Sequence, residues 1–350
     1  MSGGSVQPFK NLPLPQEIVI DILSRLPVKS LCRFKCVSKS WLALTTDPLF
    51  VKLHLDRTKI HKIMLASRSL YSIDHETTPI NEEVVSVQLD FPLKKNHTSD
   101  FVQIISSCNG LLCIMPEPEV FFVINPSTRE YKRVQDFQNP TLSSLSDQSV
   151  YGFGYVQSID DYKFVKYVCG STVCVFSLKN NSWKFVEDSR YKCQLCVPGT
   201  PLNGAIHWVL KHQDGDCVIA AFDLVEERFK DLPLPDALTS FGVLSTGVLE
   251  GRLCVQHHQD MNVKQFWVMK EYGVKESWTR VLIQEGYRIL KPLCLWKDCK
   301  ILLAMDQKQL VLCNQRDGAL KDFEVTGIPF HFDADVYVES LISPNCSKWN

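Results

Sequence analysis

The sequence predicts an α+β multidomain protein in which a small N-terminal unit of three helices precedes an all-β domain shaped like a six-bladed β-propeller. Three observations lead to this fold. Apolar residues in 12–50 recur at helical spacing. After residue 60, short apolar strands alternate with polar turns almost to the last residue. Five strand–turn–strand segments also repeat, and their anchors Tyr131, Trp183, Phe229, Trp278 and Leu320 are by subtraction 52, 46, 49 and 42 residues apart, which suits blades of four strands.

The helical unit is bounded by residues that start and stop helices. Pro15 suits a first helical position, and Pro27 ends the first helix because the residue before a proline avoids the α conformation. Ser38 can cap a third helix, and Asp47-Pro48 closes the unit. The apolar residues that form the helical pattern between these signals are Ile18, Ile22, Leu23, Leu26, Val28, Leu31, Phe34, Val37, Trp41 and Leu44. About forty residues are too few for a stable core, so the unit must give apolar surface to a partner or to the rest of the chain.

The repeats divide the β domain into five nearly complete blades, at 101–135, 151–187, 194–231, 240–283 and 287–325. Two fragments remain: three strands at 62–66, 70–73 and 84–89, and a lone strand at 335–343. Together they make a sixth blade, which closes the ring and removes the exposed edges of an open sheet. The predicted organisation is a flexible tail at 1–11, the helical unit at 12–50, a linker at 51–59, the β domain at 60–343 and a tail at 344–350.

Composition argues against several classes of protein. The 350 residues carry a net charge of −1, so nothing global indicates a nucleic-acid partner, and no apolar run is long enough to span a membrane. The first residues lack the pattern of a signal peptide. The 14 cysteines lie in apolar stretches, which favours reduced core thiols and a cytoplasmic or nuclear protein. Residues 1–56 carry seven Lys or Arg against four acids. This excess of positive charge indicates either a solvated helix surface or a surface that attracts an acidic partner.

Residues 14–41 read L-P-Q-E-I-V-I-D-I-L-S-R-L-P-V-K-S-L-C-R-F-K-C-V-S-K-S-W. This stretch resembles the F-box in the form common in plants, although Cys32 stands where Leu is usual and Leu42, just beyond it, where a polar residue is usual. The resemblance implies binding to a Skp1-like adaptor and, through it, to Cullin1 and Rbx1 of a ubiquitin ligase. The implied adaptor contacts are Leu14, Pro15, Ile18, Ile22, Leu23, Leu26, Pro27, Val28, Leu31, Val37 and Trp41. Which of them face the adaptor and which face inward stays open.

The β domain carries a second set of recognisable segments. They include S-C-N-G-L-L-C (107–113), N-P-S-T-R-E-Y (125–131), L-N-G-A-I-H-W (202–208) and A-D-V-Y-V-E-S-L (334–341). These segments resemble the F-box-associated domain of plant F-box proteins, whereas the double-Gly signature of kelch repeats is absent. The resemblance implies that the β domain holds a target protein, in a receptor that does no bond chemistry itself and needs no cofactor.

Candidate metal and catalytic groups are better explained by packing. Cys193-x-x-Cys196 is half of a zinc site, which His207, His257 or His258 could complete only if the fold brought them close. We expect no metal, because residues i and i+3 of a strand point to opposite faces. No nucleophile motif and no phosphate-binding glycine loop occurs. Four Trp residues at strand positions suit packing between blades better than a ligand cage: Trp208, Trp267, Trp278 and Trp296.

Loop lengths indicate where a target would bind. If strands A to D run outward from the ring centre, the short A–B and C–D turns share one face and the longer B–C and D–A connections share the other. The candidates on this second face are Lys211, Asp214, His257, His258 and Asp260. The chain enters the ring at a B strand near residues 59–62, so the helical unit would lie on the A–B face. The functions left open are a ligase receptor, a non-ligase adaptor or sequestering inhibitor, and an enzyme, for which paired carboxylates at matched blade positions are lacking.

Overall fold

The computed structural model describes residues 15–58, 61–74, 84–89, 101–135, 149–193, 196–238, 243–258, 265–283, 289–296 and 300–345. Within these residues the chain forms four helices and then six antiparallel sheets, which are the blades of a propeller. The predicted tail at 1–11 lies outside the described residues. The predicted architecture, with a helical unit first and an all-β ring after it, is confirmed.

The helical unit has four helices rather than the expected three: α1 (Gln16–Leu23), α2 (Val28–Phe34), α3 (Lys39–Thr45) and α4 (Pro48–Arg57). The fourth helix occupies most of the predicted linker at 51–59. Asp47 and Pro48 start this helix instead of closing the unit, because the Asp47 carboxylate accepts hydrogen bonds from the backbone N–H of Leu49 at 2.9 Å and Phe50 at 3.0 Å. Pro15 likewise precedes α1 rather than occupying its first turn, whereas Ser38 caps α3 as predicted.

The chain enters the ring with three strands of one blade, β1 (His61–Ala66), β2 (Leu70–Ile73) and β3 (Ser86–Leu89). Blade 1 is β4 (Gln103–Cys108), β5 (Leu111–Glu117), β6 (Val120–Asn125) and β7 (Glu130–Arg133). Blade 2 is β8 (Ser149–Val156), β9 (Asp161–Val168), β10 (Ser171–Ser177) and β11 (Ser182–Asp188). In blade 3, β12 (Tyr191–Lys192) and β13 (Thr200–Leu202) both pair with β14 (Ala205–His212), which is followed by β15 (Cys217–Asp223) and β16 (Arg228–Leu232).

Two further blades and one last strand complete the ring. Blade 4 is β17 (Val243–Leu249), β18 (Arg252–His258), β19 (Gln265–Met269) and β20 (Trp278–Leu282). Blade 5 is β21 (Leu290–Trp296), β22 (Lys300–Met305), β23 (Gln309–Asn314) and β24 (Leu320–Asp322). The last strand, β25 (Asp333–Val338), pairs antiparallel with β1 over the six residues of each strand. Strands from the two ends of the chain therefore share the closing blade, as predicted.

Packing between blades explains the large aromatic residues. The Trp208 indole N–H donates to the carbonyl of Tyr151 in the neighbouring blade at 3.2 Å, and the side chain is 2% exposed. A Cβ added at Gly152 would lie 2.5 Å from Ile206 Cγ2, so the blades approach too closely there for any side chain. The indole N–H of Trp278 donates to the carbonyl of Pro233. These two Trp residues belong to the core between blades, as the sequence predicted.

The helical unit shares one continuous core with the ring. Val28 and Leu31 of α2 are fully buried, and they belong to the same apolar cluster as Leu341 and Ile342 beyond β25. The Lys52 ammonium of α4 donates to Asp160 at 2.7 Å. Because residue 160 lies in the turn between the A and B strands of blade 2, the helical unit lies on the A–B face, as the entry point of the chain predicted.

Ring closure predicts unequal effects of alanine at two similar turns. Gly110 and Gly251 both have positive φ in the two-residue A–B turns of blades 1 and 4, so alanine is strained at either position. A Cβ at residue 110 would also lie 2.4 Å from Ser340 Oγ and 2.6 Å from the Val338 carbonyl, whereas a Cβ at residue 251 would meet nothing within 4 Å. We expect Gly110→Ala to lose about 1–3 kcal/mol more unfolding free energy than Gly251→Ala in denaturant titrations. Equal losses would show that the C-terminal segment does not pack against this turn.

Candidate functional site

Helix α1 presents two apolar faces. Val19 and Leu23, one turn apart, are 6% and 3% exposed and pack into the shared core. Ile18 and Ile22, also one turn apart, are each 48% exposed. Residues at i and i+4 lie on the same side of a helix, so the outward side carries two branched apolar side chains that the chain's own core does not cover.

The remaining adaptor candidates divide in the same way. Val28 and Leu31 are fully buried, and Leu26 and the Trp41 ring pack partly against the shared core. Pro15 and Pro27 are exposed, as is Val37 at 67%. Leu14 lies outside the described residues. The candidates that lie on the surface are therefore Pro15, Ile18, Ile22, Pro27 and Val37.

Sequence reasoning missed three apolar residues of this unit. Val19 is a core residue. It lies four residues before Leu23, a spacing that puts both on the same side of a helix, and this spacing could have identified it from the sequence. Leu42 is 45% exposed and Leu49 79% exposed. The F-box resemblance marks Leu42 only as a departure from the usual polar residue, and Leu49 lies in α4, a helix that the sequence did not predict. The large apolar residues that are exposed in the described part of the helical unit, here called the outer apolar set, are Ile18, Ile22, Val37, Leu42 and Leu49.

Basic residues outnumber acidic ones in the described helical unit, with seven Lys or Arg against four Asp or Glu in residues 15–58. Asp21 is held by Arg25 at 3.1 Å and Arg57 at 2.6 Å, and hydrogen bonds from Arg25 and then Arg57 lower the pKa of the Asp21 carboxyl. Exposed Lys29, Arg33 and Lys39 add positive charge on α2 and at the start of α3. Exposed charges at the rim of an apolar surface accelerate encounter with a partner of opposite charge. This arrangement suits an acidic protein partner.

The opposite face of the ring holds the predicted target residues that the structure describes. Lys211 lies near the end of β14, half-buried, and Asp214 is exposed in the B–C turn, where its carboxylate accepts from the Asp216 N–H at 3.3 Å. His257 and His258 are the last residues of β18, and their side chains, like all of Asp260, lie outside the described part. The ends of β14 and β18 are both B–C ends of neighbouring blades. The fold therefore brings these two chain segments to one face, away from α4.

The inner strands of the blades surround a cavity of about 840 Å³. Lys291 of β21 lies 3.4 Å from Asp335 and 3.9 Å from Asp333 of β25. Burial raises the pKa of the Asp333 carboxyl. Burial alone would lower the pKa of Lys291, but the two carboxylates raise it. This ion-pair group links the closing strand to blade 5 and was not found from the sequence, because the two strands are distant along the chain.

Among the candidate metal ligands, the ring of His207 is engaged in hydrogen bonds. The His207 ring donates from Nδ1 to the Thr200 carbonyl at 3.0 Å, and its Nε2 accepts from the Tyr272 hydroxyl at 2.7 Å. Both ring nitrogens are therefore occupied. Across the described ranges, no group of three or more His, Cys, Asp or Glu side chains is placed to hold a metal ion. The helices described are also too short or too polar to cross a membrane.

Buried His207 predicts a pH dependence of stability. Burial lowers the pKa of His207 to about 4, from an ordinary value of 6.5. Between these values the unfolded chain binds a proton that the folded chain does not, so the free energy of unfolding falls as pH falls, by up to about 1.4 kcal/mol per pH unit from this residue. We expect His207→Gln to show a shallower loss of stability from pH 6.5 to about 4 in denaturant titrations. Parallel curves for the variant and the native protein would show that His207 is not buried in its neutral form.

Comparison with known proteins identifies the family that each part of the chain matches. Residues 12–53 match the F-box domain, and residues 61–343 match the F-box associated beta propeller domain. The F-box protein CPR1 of Arabidopsis thaliana is 31% identical, over 94% of this chain and 88% of its own. The F-box protein At5g49610 of the same plant is 30% identical, over 96% of this chain and 99% of its own. The F-box/kelch-repeat protein At3g23880 is 27% identical, over 95% and 96%.

Proposed function

Since this chain belongs to the F-box proteins that carry an F-box associated beta propeller domain, we propose that it is the substrate-recognition subunit of an SCF-type E3 ubiquitin ligase. The helical unit binds a Skp1-family adaptor, which connects it to Cullin1 and Rbx1. The propeller binds the target protein. The observation that carries the proposal is the outward side of α1, where Ile18 and Ile22 are each 48% exposed on a helix whose other side is already buried.

The outer apolar set is suited to a protein partner. Exposed apolar side chains that lie singly on a surface need no explanation, but five on one small helical unit do. Desolvating them in an interface provides favourable free energy, and anchors at the centre of an interface typically contribute about 2 kcal/mol or more each. The basic side chains around them suit an acidic adaptor.

The two faces of the ring separate the two partners. The helical unit occupies the A–B face through its shared core and the Lys52–Asp160 ion pair. The target would bind the other face, where the B–C turns of blades 3 and 4 end. The receptor then contributes no bond chemistry of its own: it raises the local concentration of a target lysine near the ubiquitin-carrying enzyme. We propose that the protein acts in the cytoplasm, the nucleus or both.

The adaptor surface is tested by adding charge to α1. Ile18→Asp with Ile22→Asp should weaken binding to a purified Skp1-family adaptor by about 30-fold or more, the equivalent of about 2 kcal/mol. The melting temperature should change little, because these side chains lie outside the core. The measurement is calorimetric or optical titration of the intact chain with the adaptor.

The matched control is Ile289→Asp, at an isoleucine that is 45% exposed and directly precedes the inner strand of blade 5, away from the helical unit. It should bind the adaptor as the native chain does. Native affinity in the α1 double variant would reject the adaptor surface. Co-purification of Cullin1 with the adaptor separates a ligase subunit from a non-ligase adaptor or sequestering inhibitor, which would leave Cullin1 behind.

The target face is tested by charge reversal at two exposed turn residues. Asp214→Lys alters the B–C turn of blade 3, and Glu250→Lys alters an A–B turn of blade 4. In cells with cullin neddylation blocked, we expect the tagged Asp214→Lys receptor to retain several-fold less target protein than the native receptor. The reason is that charges at the rim of an interface steer and orient partners. Both variants should retain the adaptor. If only the Glu250 variant retained less target protein, the target would bind the A–B face, and the proposed target face would be wrong.

A further inference from the structure

Two cysteine thiols from adjacent blades meet on the face opposite the helical unit. The Cys169 thiol, in the B–C turn of blade 2, lies 2.7 Å from the sulfur of Cys193, which follows β12 of blade 3. Carbon atoms in apolar packing contact lie about 3.5–4.0 Å apart, and the sulfurs of a disulfide bond lie about 2.05 Å apart. The fold therefore holds the two sulfurs closer than an ordinary packing contact.

The backbone around the two thiols is fixed by a buried tyrosine. Tyr167 is fully buried, and its hydroxyl donates to the Tyr191 carbonyl at 3.2 Å. The same hydroxyl accepts from the N–H of Gly170 at 3.2 Å and from the N–H of Tyr191 at 3.3 Å. The turn that carries Cys169 is thus tied to the segment that carries Cys193. The proximity of the sulfurs is a built feature of the boundary between the two blades.

The two thiols differ in reactivity. The hydrogen bond donated by Cys169 lowers the pKa of the Cys193 thiol, while the same bond, with burial, raises the pKa of Cys169. A thiolate is the form that reacts with oxidants. Cys193 is therefore the nucleophile of the pair, and Cys169 is the thiol positioned to resolve its oxidised form. Cys196 is exposed, and its side chain also hydrogen-bonds to Cys193, which further lowers the pKa of Cys193.

We propose that Cys169 and Cys193 form an oxidisable dithiol that a hydroperoxide converts into a disulfide. In the first step the Cys193 sulfur attacks one oxygen of hydrogen peroxide, and the O–O bond breaks. That oxygen stays on Cys193 as a sulfenic acid, and the other oxygen leaves as water. In the second step the Cys169 sulfur attacks the sulfenic sulfur, an S–S bond forms, and a second water leaves. The two thiols together lose two electrons, and the peroxide gains them.

The disulfide would act on the face that carries Asp214. Lys192 and Tyr191 pair with Lys211 and His212 at the end of β14, and the side-chain amide of Gln213 donates to the Ser189 carbonyl at 2.6 Å. The dithiol segment is therefore hydrogen-bonded to the B–C turn of blade 3. A covalent bond between blades 2 and 3 restricts the unfolded chain and fixes this boundary. The site belongs to the fold and does not depend on the adaptor or on the ligase.

The test oxidises the intact chain with hydrogen peroxide and maps its cysteines by mass spectrometry without reduction. We expect a cross-linked peptide pair containing Cys169 and Cys193, reversal by dithiothreitol, and a melting temperature raised by about 2 °C or more in the oxidised protein. Cys196→Ser is the matched control and should still form the link. Cys169→Ser should leave a sulfenic acid on Cys193 that dimedone traps.

Three outcomes would overturn the proposal. One is a Cys193–Cys196 disulfide as the main product, which would make the neighbouring thiol the true partner. Another is no cross-link in the native chain and no dimedone adduct in the Cys169 variant, which would make the contact inert packing. The last is about one zinc ion per purified chain that is lost in the Cys169 and Cys193 serine variants, which would make the sulfurs metal ligands.

Discussion

The pairing of β25 with β1 is the interaction on which the rest of the structure depends. It joins the last strand of the ring to the first and gives the closing blade its inner strand, so that β1 is not left as an unpaired edge. It also fixes the position of the chain segment after β25, in which Leu341 and Ile342 enter the core shared with α2. The Asn125 amide adds donated hydrogen bonds to the carbonyls of Ser340 at 3.0 Å and Ile342 at 2.7 Å. Closing the ring therefore also builds the platform for the helical unit.

That platform decides what the helices can offer to a partner. A unit of about forty residues cannot bury both sides of its helices. Val19 and Leu23 on one side of α1 lie in the core that the helices share with the ring, and Ile18 and Ile22 on the other side stay at the surface. One side of α1 thus enters the shared core, and the other side carries apolar surface that this core does not cover. The same docking holds the helical unit on the A–B face and leaves the B–C turns open.

The parts of the fold that repeat or punctuate the sequence could be predicted, and the parts that depend on contacts between distant segments could not. Blade spacing and the lone C-terminal strand were enough to predict a closed ring. Val19 and Ile18 are apolar neighbours, so only the packing of the helices with one another and with the ring determines which of them is buried. Asp47-Pro48 carried both a stop and a start signal, and the Asp47 hydrogen bonds show that it starts α4. Cys169 and Cys193 meet because two blades meet, which the C-x-x-C spacing did not indicate.

Native-state hydrogen exchange of the backbone amides tests ring closure most directly. Strands held only by local contacts exchange through partial opening, whereas strands of one cooperative core exchange with the free energy of global unfolding. If β25 closes the ring, its amides and those of β1 should exchange with the same free energy as β9 in the middle of blade 2. Exchange of β25 at a clearly lower free energy, with β9 and α2 still protected, would contradict a ring that depends on this pairing.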